Sequence, residues 1–144
     1  MASALDDLVP SFQRRVLPKA DWTHQAHLAV GLWHVATYGP AEALERLRVG
    51  IRSLNEAHGV VNSDSSGYHE TITGAYVILL SQWREAHPRD LTDDLICELQ
   101  ASTIAAPDVL LRFYSKERLF SPTARAEWVE PDRLPLQLAA LTRG

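Results

Sequence analysis

The stretch Trp22–Pro40 reads WTHQAHLAVGLWHVATYGP, and its punctuation sets the kind of fold. A helix is predicted from about Trp22 to Tyr38. Asp21 or Thr23 can cap its first turn, because a short oxygen-bearing side chain accepts from the backbone N–H groups left unpaired there. Gly39 stops it, and Pro40 takes the first position of the next helix, where a missing N–H costs nothing. That third helix continues through Leu44, Leu47, Ile51 and Leu54, at spacings of three and four, to about Ala57, and Gly59 ends it.

The same periodicity extends outward. Leu5, Leu8, Val9, Phe12, Val16 and Leu17 form a helical stripe, with Pro10 kinking it or marking its first turn. After the polar loop Val60–Gly67, a fourth helix is expected to start near Tyr68 to Glu70 and run to about Ala86, carrying Ile72, Ala75, Tyr76, Leu79, Leu80 and Trp83. Thr92 caps a fifth helix through Ala101, favoured by Asp93 and Asp94 at its start. Asp108 is expected to cap a short sixth helix through Tyr114, and Ser121-Pro122 reads as cap and first position of another ending near Trp128. The segment Glu130–Pro135 should be extended and packed on the surface. No segment alternates with period two. The expectation is an all-α, single-domain bundle over residues 1–144, with five to seven helices and an irregular C-terminal tail.

Composition bounds the function. At 144 residues, 46% hydrophobic and 22% charged, the chain can bury a full core and is not of disordered composition. A net charge of −4 and the lack of interleaved basic and aromatic residues speak against a nucleic-acid partner. No apolar run is long enough for a membrane span and no leader is evident, so a cytoplasmic location is expected. The single cysteine, Cys97, excludes an internal disulfide and a cysteine-rich zinc site; within Leu95–Leu99 it reads as a buried thiol rather than a nucleophile. There is no P-loop, no GxGxxG after a strand, no GxSxG, no HExxH and no CxxC.

The histidines carry the chemistry that can be argued. His24 and His27, three residues apart, project from one helix face about 60° apart, so both imidazoles can reach one metal ion. His34 continues the stripe but lies about 10 Å further along the axis, too far to share that ion. An HxxH pair alone is a weak signal. A second feature is Gly67-Tyr68-His69-Glu70-Thr71, which opens a helix directly after a glycine-ended loop, a place where a scaffold positions functional side chains. His69 would supply a third imidazole if the starts of helices two and four face each other. Three imidazoles leave positions for water and substrate. Glu70 is then a ligand, a general base or an acceptor for an imidazole N–H, against the plainer role of a negative charge in a first helical turn. Tyr68 is a proton donor or a hydrophobic staple. Asn62, Arg48 and Arg118 are candidate substrate contacts; for each, capping or a solvated face is the plainer role.

The blocks Trp22–Leu28, Gly67–Thr73 and Tyr114–Asp132 resemble signature blocks in a family of small bacterial proteins, over about Phe12 to Leu136. No activity is attached to that family, so the resemblance implies no reaction. It implies that the two histidine blocks belong to one unit.

The expectation is a metal-dependent enzyme acting on a small molecule by oxidative or hydrolytic chemistry. One first-row transition-metal ion (iron, copper, zinc, nickel or manganese) would be held by His24, His27 and His69. Two alternatives stand beside it: a metal-free enzyme using His69 or His24 as acid–base with Glu70 or Asp64, and a non-catalytic helical interaction module.

Overall fold

The computed structural model describes residues 4–141. Among them it contains α-helices, short 3₁₀ turns and no strand: α1 (Ala4–Gln13), α2 (His24–Tyr38), α3 (Pro40–Ala57), α4 (Glu70–Ala86), α5 (Asp93–Gln100), α6 (Lys116–Leu119) and α7 (Pro122–Ala126). The all-α expectation therefore holds. No helix among the described residues is long and apolar enough to cross a membrane.

Local capping chemistry explains where most helices start. Thr23, Thr92, Ser115 and Ser121 each accept, through the side-chain oxygen, the backbone N–H three residues on. Gly39 closes α2 and hands the chain to Pro40 at the first position of α3. The start of α4 is different, since its cap is the His69 ring.

The central element is α2, which packs against α1, α3, α4 and α5. It is buried around most of its circumference, with Val30 and Leu32 fully enclosed. Burying such side chains contributes about 1.5–3 kcal/mol each. Two glycines allow close approach. A Cβ on Gly31 would stand 2.7 Å from Leu80 Cδ1, so α2 and α4 touch there; one on Gly50 would stand 2.6 Å from the Phe12 ring, which seats α1 on α3.

The segment after α7 straps the outside of α4. Thr71 Oγ1 donates to the Glu127 carbonyl and accepts from Val129 N–H, while Gln82 bonds Leu136 O and Leu138 N–H. The Trp128 ring lies over Gly74, where a Cβ would come within 3.0 Å. The tail is thus packed on the surface as expected, but it bends through Asp132–Leu134 rather than running extended, because Asp132 turns back to the Ser115 cap and Arg133 N–H to the Phe113 carbonyl.

Three further local expectations are corrected. The first helix stops at Gln13 rather than running to Leu17, because Arg15 takes a left-handed conformation (φ 60°) that ends the helical path and leaves Val16 facing water. Cys97 is exposed, not buried: the apolar face of α5 is Leu95, Ile96 and Leu99, and position 97 falls on the opposite side. The Asp108 segment is a 3₁₀ turn over Val109–Arg112, and Asp108 makes no capping bond. In its place α6 starts at Lys116, where Asp132 of the tail binds both the N–H and the hydroxyl of its cap, Ser115.

Candidate functional site

The start of α2 does approach α4, and an apolar cavity of about 290 Å³ lies between α2, α3 and α4. Leu28, Leu47, Ile51, Ile72, Val77 and Leu80 supply most of its wall. Its polar lining comes from His24, His27, Thr73 and Tyr76. A cavity that is mostly apolar with a few convergent polar groups is the usual form of a small-molecule site.

Each polar group has a definite state. His27 stacks on Trp22 with ring centroids 3.7 Å apart, and its Nδ1–H donates to the Thr23 carbonyl at 2.6 Å. Nε2 therefore carries the lone pair. His27 is exposed by surface area, although many protein atoms crowd its ring. The desolvation they impose holds its pKa below the ordinary imidazole value against the pull of the Thr23 carbonyl, and the neighbouring His24 adds to the lowering. His24 donates from Nε2 to Ala105 O at 3.0 Å, so its Nδ1 bears the lone pair; its ring meets Tyr76 edge-on at 6.0 Å. Burial, reinforced by Asp108, pushes the Tyr76 phenol up to about 12, so it stays protonated and can donate. Thr73 is already spent, donating to the His69 carbonyl.

A second chamber of about 330 Å³ shares Trp22, His27, Ile51 and Ile72 with this cavity and is otherwise lined by Asn55, Gly67, Tyr68, His69 and Arg125. Arg125 is half-buried and gives Nη1 to the Gly67 carbonyl.

The residues named from sequence separate into two groups. His24 and His27 share the cavity. His69 lies near it, with both ring nitrogens engaged: Nδ1 accepts from Ile72 N–H as the cap of α4, and Nε2 donates to Leu119 O at 2.7 Å. Burial first, then Arg125, hold its pKa low, opposed by the Leu119 carbonyl. The trio does not fit a three-imidazole metal centre in this arrangement, because His69 has no lone pair to give. Among the described residues, no group of three or more His, Cys, Asp or Glu side chains is disposed to share an ion.

Glu70 faces another way. Arg48 grips it at 2.9 and 2.6 Å, and the Tyr68 hydroxyl donates to the same carboxylate at 2.7 Å. Arg48 holds that carboxyl below its usual range, while burial and the glutamate push the Tyr68 phenol well up. Tyr68, Arg48 and Glu70 are thus mutually satisfied rather than poised for proton transfer. Asn62 clasps its loop, accepting from Asn55 and from Tyr68 N–H and donating to Arg52 O. Arg118 is exposed and donates to Glu130 O in the tail.

Sequence reading counts Tyr76 as an apolar residue of its helix, and places Arg125 in a cation-rich run for which closing over a site or binding an anion stands beside the plainer role of scattered surface charge. Nothing in local spacing distinguishes them, because their significance comes from facing the α2 histidines. Comparisons with protein-family models, curated proteins and solved structures found no match to this chain.

Proposed function

We propose that the chain binds a small, largely apolar molecule in the α2–α3–α4 cavity and moves a proton on it, with His27 Nε2 as base and the Tyr76 hydroxyl as acid. One observation supports the reading above the rest. His24 Nδ1, His27 Nε2 and the Tyr76 hydroxyl have no hydrogen-bond partner among the described residues, and the three residues line one apolar cavity. His69, Glu70, Tyr68 and Asn62 are by contrast satisfied by the protein. A neutral imidazole of lowered pKa can accept a proton near neutrality, and a half-buried phenol can return one. His24 then orients the bound molecule by accepting a hydrogen bond. Trp22 holds the His27 ring plane, fixing the direction of its lone pair. This is the metal-free form of acid–base chemistry, with His27 and Tyr76 in place of His69 and Glu70.

The test has two measurements on the whole chain. Saturation-transfer NMR with indole and with naphthalene-2-methanol should show binding to the wild type, weakened at least tenfold in Ile51→Trp, which fills the cavity. Circular dichroism should show the same helical content in both. NMR titration of the imidazoles should show His27 as the Nδ1–H tautomer, deprotonating below the free-imidazole value. Equal binding by the filled variant, binding by neither protein, or a His27 that titrates above about 6.5 would overturn the reading.

A further inference from the structure

The second chamber adds a charge to the cavity that its apolar wall does not explain. Arg125 lines it, and among the described residues no carboxylate does. The nearby pair Arg48–Glu70 cancels internally. Arg52, with its guanidinium 5.7 Å from the Tyr68 ring centroid, adds further positive field at this end. An unneutralised cation beside an apolar cavity favours an anion with a hydrophobic body.

The hydrogen-bonding edge of Arg125 narrows the class. Its Nη1 is spent on Gly67 O, which fixes the guanidinium plane against the loop. The side-on edge formed by Nε and Nη2 has no partner among the described residues. Arg48 uses that same pair of nitrogens to grip the Glu70 carboxylate. A planar, singly charged carboxylate matches this edge bidentately. Asn55, which gives one amide hydrogen to Asn62, has a second for the same group. Trp22 and His27 also line the chamber and are shared with the main cavity.

On these grounds, and resting on the cavity reading above, we infer that the molecule taken by this site is an amphipathic monocarboxylate, its carboxylate on the Arg125 edge and its aryl or alkyl body beyond the Trp22–His27 stack. Such a molecule would pass Nε2 of His27 on its way from one chamber to the other. The atoms nearest the carboxylate are then the ones offered to the base.

The experiment compares 2-naphthoate with naphthalene-2-methanol, which shares its ring system and lacks its charge, by titration calorimetry and ligand-observed NMR. The wild type should bind the carboxylate at least tenfold more tightly than the alcohol. Arg125→Gln should erase that preference by weakening the carboxylate to the level of the alcohol, and Arg125→Lys should keep part of it. Raising the salt concentration should weaken only the carboxylate. If the wild type binds the alcohol as well as the carboxylate, or Arg125→Gln keeps the preference, the carboxylate assignment fails and the cavity reading stands. If neither compound binds, both fail. The wild-type comparison does not depend on the folding of any variant.

Discussion

At the scale of single residues, what a histidine can do is decided by what its two nitrogens already touch. His69 spends one on the first turn of α4 and the other on Leu119 O, so its value is structural. His69→Ala should cost about 2–4 kcal/mol, from a lost cap and a carbonyl left without its donor. Urea denaturation would measure this, and His69→Asn, which can still cap, should recover about 1 kcal/mol of the loss. His27→Gln, in contrast, should cost little stability, because the side chain has an accessible edge and a single local bond. Its effect should fall on the bound ligand's NMR response instead. The residue types of the site were legible in the sequence: WTHQAH does put two imidazoles on one cavity. Their commitments were not. Whether His69 is a ligand or a cap depends on Leu119, 50 positions away, and Tyr76 matters only through the helix it faces.

At the scale of elements, the loop between α3 and α4 shows how a turn aims a site. Asn62 draws Asn55, the Arg52 carbonyl and Tyr68 N–H to one side chain. Gly67 is required there twice over. Its φ is +76°, and a Cβ would stand 2.6 Å from both Asn62 Oδ1 and Val61 O. Gly59 has the same φ with nothing within 4 Å. Gly59→Ala should therefore cost about 1–2 kcal/mol, the left-handed penalty alone. Gly67→Ala should cost clearly more, and it should also shift the loop under Arg125 and weaken binding in the second chamber. Thermal unfolding of the two variants side by side checks the difference. Elements with local signals, such as Thr23, Gly39-Pro40, Thr92 and Ser121-Pro122, were readable to within a residue or two. Helix α6 was not, because its cap Ser115 is held by Asp132 from the strap.

At the scale of the whole molecule, the buried histidines tie stability to pH. His34 and His69 are both almost fully enclosed, and burial lowers the pKa of each, with Arg46 and Arg125 respectively adding to the effect. In the unfolded chain both would bind a proton near pH 6.5. Below that pH the unfolded state holds more protons than the folded one, so stability is complete above about 6.5 and falls as the pH drops, until the folded rings protonate. The slope is at most about 1.4 kcal/mol per pH unit for each ring, with His27 adding less because of its accessible edge. Urea midpoints at pH 7.5 and 5.5 should differ accordingly, and His34→Gln should flatten the dependence. A flat profile in the wild type would show that these rings keep their charge when folded. The strap over α4 has a consequence for truncation. Thr71 near one end of that helix and Gln82 near the other receive their partners from chain 54 to 58 positions later. A chain cut after Ala126 would therefore lose these partners together with the Trp128 ring over Gly74, and the outer face of α4, with its enclosed Thr71, would be left to water.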